Sequence, residues 1–241
     1  MTRILAIHGF LGNSRDWEPL SSALKIYAPE VSFQAIDLFK TRPGGKNPTA
    51  RDWAKKLNQQ EKNQHVERNI LLGYSLGGRL ALQAAMDKPG LWDEVVLIST
   101  HPGLASEEEK KQRREVDMRW AADFSEMPWN EVLAKWNSQT VFLGSWTPPR
   151  DESEFDRKIL AQTMIQWSLG EQDFIGESLM VLKPKIRWYA GERDAKFLNL
   201  FTQLKADGFI DEIHTVRDSG HRVIFDNPKE LAQQLVRDLK L

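Results

Sequence analysis

Asn69-Ile70-Leu71-Leu72-Gly73-Tyr74-Ser75-Leu76-Gly77-Gly78-Arg79-Leu80-Ala81 decides how the chain is read. The mostly apolar start is short enough for a strand, and residues 79–86 open a helical pattern. Between them Gly73-Tyr74-Ser75-Leu76-Gly77 fits G-x-S-x-G. Taken alone, that pattern arises by chance in roughly one chain in ten of this length. The strand before it and the helix after it change its weight, because a serine at a tight strand-to-helix turn has its hydroxyl exposed. Flanking glycines let backbone pass close by, and the helix aims its positive N-terminal end at the serine. A glycine-rich turn without chemistry is the plainer alternative.

The alternation of strand and helix extends in both directions. Residues 4–8, 31–38, 69–74, 95–100, 185–190 and 213–216 read as strands. Most are apolar throughout, as strands covered on both faces are. Thr49-Ala50-Arg51-Asp52 has capping-box spacing. Asn227-Pro228 places a cap and a first-turn proline before a helix running to 241. Gly208 is placed to close a helix that starts near 196. Together these predict a doubly wound α/β sheet, mostly parallel and flanked by helices. The alternation breaks after 100. Residues 106–124, 129–137, 153–169 and 174–182 read as helical, punctuated by Pro148-Pro149 and Gly170. The expected organisation is a core of residues 1–100 and 183–241 with a helical cap, 101–182, over the strand C-terminal ends. Open α/β sheets bind ligands there. Five of the nine tryptophans (Trp120, Trp129, Trp136, Trp146 and Trp167) fall in the insertion. They either bury the cap's own core or, in one or two cases, line a pocket wall.

A serine hydroxyl needs a neighbouring base to take its proton. Behind this kind of elbow the chain order is serine, acid, histidine. Of the five histidines, His8 and His101 stand at other strand ends, His65 in a polar stretch and His214 inside a strand. His221, in Asp218-Ser219-Gly220-His221, follows the last strand within a glycine-containing loop and is the candidate base. Asp194, in Gly191-Glu192-Arg193-Asp194, is the preferred acid, with Glu192 its competitor. Its role would be to hold the imidazole tautomer and stabilise the imidazolium. The backbone N–H groups of Phe10, in the loop closing the first strand, and of Leu76 are the expected oxyanion donors.

Composition narrows the partners. The chain has 241 residues, 41% hydrophobic and 28% charged, with a net charge of −1. Those are values of an ordinary soluble domain, and the absence of a basic tail argues against nucleic acid or an acidic membrane surface. With no cysteine, thiolate nucleophiles, disulfides and Cys-ligated metals are excluded. The apolar run at the N-terminus is too short for a signal peptide, and no run approaches the roughly 20 residues of a spanning helix. A cytoplasmic protein is expected. No metal or organic cofactor is indicated, and no pattern specifies an oligomeric state.

Over its whole length the chain resembles the α/β-hydrolase superfamily. Several segments resemble more narrowly the menaquinone-pathway family of 2-succinyl-6-hydroxy-2,4-cyclohexadiene-1-carboxylate (SHCHC) synthases. These are His8-Gly9-Phe10-Leu11-Gly12 with Asp16-Trp17, Tyr74-Ser75-Leu76-Gly77-Gly78-Arg79, His101-Pro102-Gly103-Leu104, Glu192-Arg193-Asp194-Ala195-Lys196-Phe197, and Ser219-Gly220-His221 with Asn227-Pro228. The resemblance implies an α/β-hydrolase fold and a lyase rather than a hydrolase. Pyruvate would be eliminated from a small anionic enolpyruvyl cyclohexene, with Ser75, His221 and Asp194 acting as a base and no acyl-enzyme. Arg79 stands four residues after Ser75, on the same helix face. If buried, its guanidinium needs an anion, which a substrate carboxylate would supply; a protein carboxylate or an escape to the surface are the alternatives. Tyr74 would offer a hydroxyl to the same site. The family also takes carboxylate-binding groups from the cap, and the matching positions are Arg113, with Arg114 adjacent, and Trp136. A further cap arginine of the family falls near Thr163 here, leaving Arg157 as the nearest substitute. Two other functions stay open. One is a carboxylesterase or carbon–carbon bond hydrolase using the same triad, the esterase with a mostly apolar pocket. The other is a non-catalytic small-molecule receptor on the same fold.

Overall fold

In a computed structural model describing residues 1–62 and 66–241, the six apolar runs form one sheet: β1 (Thr2–Ile7), β2 (Ser32–Ile36), β3 (Arg68–Tyr74), β4 (Glu94–Ile98), β5 (Lys185–Gly191) and β6 (Ile213–Val216). Every neighbouring pair is parallel, in the order β2-β1-β3-β4-β5-β6. The central strands β3 and β4 are buried almost throughout, as their apolar composition requires, while edge strand β2 is only half-buried. Side-chain alternation divides the strands between two cores. Leu5, Ile7, Leu71, Val95 and Leu97 face one, and Ile4, Ala6, Ile70, Leu72, Val96 and Ile98 the other.

The first core is closed by α2 (Ala50–Glu61), α3 (Leu76–Asp87) and α8 (Ala195–Ala206). The second is closed by α1 (Glu18–Tyr27), α9 (Val223–Asp226) and α10 (Pro228–Leu239). Thr49 caps α2 and Asn227 caps α10 through the N–H groups of Asp52 and Glu230. Gly208 follows α8 at φ +78°, a left-handed conformation that suits glycine.

Between β4 and β5 the chain is helical, with α4 (Glu107–Glu126), α5 (Trp129–Asn137), α6 (Arg157–Gln166) and α7 (Gly176–Val181). The helix expected at 153–169 is divided. A short 3-10 turn covers Glu152–Glu154, and Asp156 then caps α6 afresh by accepting the N–H groups of Lys158 and Ile159. Phe124, Trp129, Val132, Leu160 and Met164 form a third core within this segment. A parallel bridge between Leu104 and Asp173 ties its two ends together. Among the described residues no helix is long and apolar enough to cross a membrane.

The sheet reverses its direction of growth at β1, which lies between β2 and β3. Loops leaving β1 and β3 therefore open a crevice at the strand C-terminal ends, where such sheets bind ligands. Those loops are His8–Leu11 and the turn at Ser75.

Candidate active site

Ser75 links β3 to α3 with φ 53° and ψ −112°, a left-handed conformation that strains any residue with a side chain. The turn is held by what surrounds it. A methyl on Gly77 would lie 2.1 Å from the Ile7 carbonyl oxygen, and one on Gly78 would lie 1.8 Å from Thr100 Oγ1. The elbow therefore packs directly on β1 and on the end of β4, which leaves the serine side chain pointing away from the sheet.

His221 Nε2 lies 3.4 Å from Ser75 Oγ, and His221 Nδ1 lies 2.9 Å from Asp194 Oδ2. Histidine and aspartate are both buried, at 4% and 3% exposure. Asp194 also caps α8, its second oxygen accepting the Phe197 N–H at 3.3 Å. Fixed at a helix end, the carboxylate keeps Nδ1 protonated and leaves Nε2 free to accept from serine. The 3.4 Å contact is at the long end of the range, as catalytic hydrogen bonds often are before substrate tightens them. Glu192 is engaged elsewhere: its carboxylate accepts the Asp218 N–H at 3.0 Å on the surface. His65 lies outside the described residues. His214 stacks on Tyr189 and pairs with Asp238 at 2.9 Å, away from the elbow.

Phe10 and Leu76 flank Ser75 in the crevice. Leu76 opens α3, where backbone N–H groups have no helical partner. The Phe10 loop is held from below by buried His8, whose Nδ1 contacts the Gly9 carbonyl at 2.8 Å while Nε2 accepts the Leu38 N–H at 3.1 Å. That pair of contacts assigns the proton to Nδ1.

Two chambers meet at Ser75, sharing Phe10, Trp136 and Phe142 as well. The larger, of ≈ 150 Å³, is lined by Arg79, Arg113, Lys196, His101 and Thr163 among others. Arg79 donates to the Trp167 carbonyl at 2.9 Å. Burial, with Arg113 nearby, pushes its guanidinium down to about 9, Asp117 partly opposing. Asp117 Oδ2 accepts from Arg113 Nε (2.8 Å) and Ser168 Oγ (2.7 Å), while its buried Oδ1 has no partner among the described residues. Lys196 has its ammonium held below the usual lysine range by burial and by Arg113. The carboxylate that would stabilise it, Asp194, belongs to His221. Burial and the same three cations push His101 down to about 4. Among the described residues, neither Arg79 nor Lys196 has a carboxylate within ion-pair distance.

The other expected residues divide. Arg113 and Trp136 line the larger chamber. Arg114 instead reaches the Gly170 carbonyl at 2.7 Å. Arg157 does not stand in for a cap arginine: it bonds the carbonyls of Phe124 and Met127 and pairs with Glu152 at 3.1 Å, on the far side of α6. Thr163 does face the chamber and accepts from Arg42 at 2.5 Å. Tyr74 does not share the chamber of Arg79. As the last strand residue it points to the opposite face and lines the smaller chamber. Of the cap tryptophans, Trp136 and Trp167 are wall residues, Trp129 and Trp120 pack the cap core, and Trp146 is 54% exposed. No sequence motif by itself assigns a role to Lys196 or His101. The available signal for Lys196 was its place two residues after the acid, in the first turn of the helix which that acid caps.

Residues 4–234 match the alpha/beta hydrolase family. Two curated relatives, from Salmonella heidelberg and Salmonella paratyphi C, are called 2-succinyl-6-hydroxy-2,4-cyclohexadiene-1-carboxylate synthase. Each is 31% identical, over 99% of this chain and 94% of the relative. Among solved structures, MenH from S. aureus superimposes with a TM-score of 0.84 at 19% identity, covering 99% of this chain and 93% of that one. A thermophilic esterase from Thermogutta terrifontis, solved with malate bound, gives 0.71 at 18% identity, covering 100% and 90%. At those identities the two structures speak to the fold alone.

Proposed function

This chain belongs to the alpha/beta hydrolase family and is homologous over nearly its full length to SHCHC synthases, and from that premise we propose that it is a lyase. It eliminates pyruvate from 2-succinyl-5-enolpyruvyl-6-hydroxy-3-cyclohexene-1-carboxylate to give SHCHC in menaquinone biosynthesis. The observation that supports this over an esterase is the cationic chamber beside Ser75. Arg79 and Lys196 are desolvated there without carboxylate partners, next to Arg113. An ester pocket has no use for that arrangement, whereas a substrate with several carboxylates satisfies it.

The change from a 3-cyclohexene to a 2,4-cyclohexadiene defines the bonds. The C2–H bond breaks, its electrons form C2=C3, the old C3=C4 pair moves to C4=C5, and the C5–O bond breaks toward the leaving enolpyruvate. C2 lies α to the succinyl ketone, so negative charge develops on that carbonyl oxygen. In this reading the backbone N–H groups of Phe10 and Leu76, two residues that line the chamber with Ser75, receive it. Ser75 Oγ takes the C2 proton as His221 Nε2 accepts the serine proton, and Asp194 balances the imidazolium. The leaving group departs as the enolate of pyruvate; its protonation at carbon, balanced by the proton that the imidazolium gives up, yields pyruvate and returns His221 to its neutral form. No bond forms between Ser75 and substrate.

The test is pyruvate release from this substrate beside hydrolysis of a small activated ester, with wild type and Ser75→Ala. Pyruvate release that the variant loses, with negligible ester cleavage, is the expected result. Rapid ester turnover without pyruvate would overturn the lyase reading.

A further inference from the structure

The smaller chamber, of ≈ 50 Å³, takes no part in the reaction as derived so far. Arg222 lines it, 5% exposed and one residue after the base. Its guanidinium donates to Thr147 Oγ1 at 3.0 Å, to the Trp146 carbonyl at 3.3 Å and to Asn137 Oδ1, and lies 4.1 Å over the Phe142 ring. Every one of these partners is neutral. The nearby carboxylates are committed elsewhere. Asp16 is held by both terminal nitrogens of Arg150 at 2.8 and 2.7 Å. Asp226 accepts from Ser145 Oγ and from the N–H groups of Trp146 and Gly220. A buried guanidinium with only neutral partners is a costly arrangement that an anion would relieve. The Tyr74 ring lines the same space.

The substrate has a matching shape. Its succinyl and enolpyruvyl arms leave the ring at C2 and C5, opposite corners of a six-membered ring. The two chambers likewise meet at Ser75, one lined by Arg79 and the other by Tyr74 and Arg222. With C2 at the serine and the succinyl side toward Arg79, Arg113 and Lys196, the C5 arm points into the smaller chamber. Its volume holds a few water-sized groups, the scale of a three-carbon acid.

We propose that the smaller chamber seats the enolpyruvyl arm, its carboxylate on Arg222 with Tyr74 beside it, and retains pyruvate after the C5–O bond breaks. This rests on the elimination reaction proposed above. Arg222 is a binding residue here: the C–O electron pair goes to the enolpyruvate oxygen, and no proton passes through the guanidinium.

The experiment titrates pyruvate, its unreactive analogue oxamate, and succinate into wild type, Arg222→Gln, Arg222→Lys and Arg79→Gln by calorimetry. Melting curves report whether each variant is folded. Arg222→Gln should weaken pyruvate and oxamate about tenfold or more, the scale of one lost charge-assisted pair, with succinate unchanged. Arg222→Lys should recover part of that loss, and Arg79→Gln should show the reverse selectivity. Unchanged pyruvate affinity in Arg222→Gln, or equal losses for all three acids, overturns the proposal. If Arg222→Gln does not fold, Tyr74→Phe decides: a selective loss of pyruvate and oxamate supports the assignment, and no loss sinks it. Failure of the elimination reading shows separately, as a wild-type enzyme that releases no pyruvate from the enolpyruvyl substrate.

Discussion

Ser75 occupies backbone geometry that glycine would adopt without cost, and its strain is measurable. Ser75→Gly and Ser75→Ala both remove the hydroxyl, and both should abolish pyruvate release. They should differ in stability, the glycine variant being about 1 kcal/mol more stable than the alanine one in urea denaturation, because only alanine retains a Cβ at positive φ. Equal stabilities would mean the elbow relaxes when the hydroxyl is gone. A related trade-off holds at Arg79. Arg79→Met removes a desolvated cation that has no carboxylate partner, so it should raise KM tenfold or more while leaving the melting temperature unchanged or higher. His101 sets an acid limit on stability. Its Nδ1 accepts the Gly103 N–H at 3.2 Å, which only a ring unprotonated at that nitrogen can do. Burial, Arg79, Lys196 and Arg113 oppose its protonation. The folded value near 4 lies below the usual 6.5, so between those pH values the unfolded chain binds the extra proton. Stability is then fully present above about 6.5 and is lost as pH falls toward 4. His101→Asn should flatten that limb by on the order of 2 kcal/mol, read as melting temperature against pH for both proteins.

The elements were legible where local pattern and local physics agree. All six strands, the caps at Thr49 and Asn227 and the stop at Gly208 follow from apolar runs and capping chemistry. Asn227→Ala should accordingly cost about 1 kcal/mol, measured by urea denaturation, because it removes the acceptor for the Glu230 N–H. Helix α1 has a weaker signature. Leu20, Ala23, Leu24 and Tyr27 form its core face, but Ile26, 75% exposed, adds an apolar residue off that face and blurs the pattern. The division before α6 depends on Asp156 preferring a cap position to a helix interior, a choice between two local structures that periodicity does not register. For the site, the meeting of Ser75, His221 and Asp194 was readable, because the fold fixes the loops that carry them. Which side of the serine each polar group faces was not. Tyr74 and Arg79 are five residues apart in one motif yet line different chambers, because one ends a strand and the other sits on a helix. Lys196 and Arg222 each stand within two residues of a triad member, but only the assembled chambers show that their charges converge there.

The whole molecule depends on how the helical insertion is held over the sheet. Phe10 packs on Phe124 and Trp136 at ring separations of 5.2 and 5.1 Å, so the loop proposed to supply an oxyanion donor is also a floor of the cap core. On the opposite side the attachment is polar. Arg42, in the loop after β2, donates to Thr163 Oγ1 at 2.5 Å and the Ile159 carbonyl at 3.4 Å, bonds Gln166, and stacks over Trp167 at 5.1 Å. Trp167 Nε1 adds a bond to the Pro48 carbonyl at 2.9 Å. Arg42 thus straps α6 to the core at the turn of helix that presents Thr163 and Met164 to the larger chamber. Removing it should act on the cap without touching the reacting atoms. Arg42→Ala is expected to raise KM severalfold with kcat little changed. Amides of 157–166 should exchange at least tenfold faster while those of β3 and β4 keep their protection, since local opening draws on local contacts. Hydrogen exchange followed by mass spectrometry separates the outcomes. Faster exchange throughout the chain would mean that cap and sheet unfold as one unit, and unchanged exchange in 157–166 would mean that the aromatic contacts with Phe10 alone hold the cap in place.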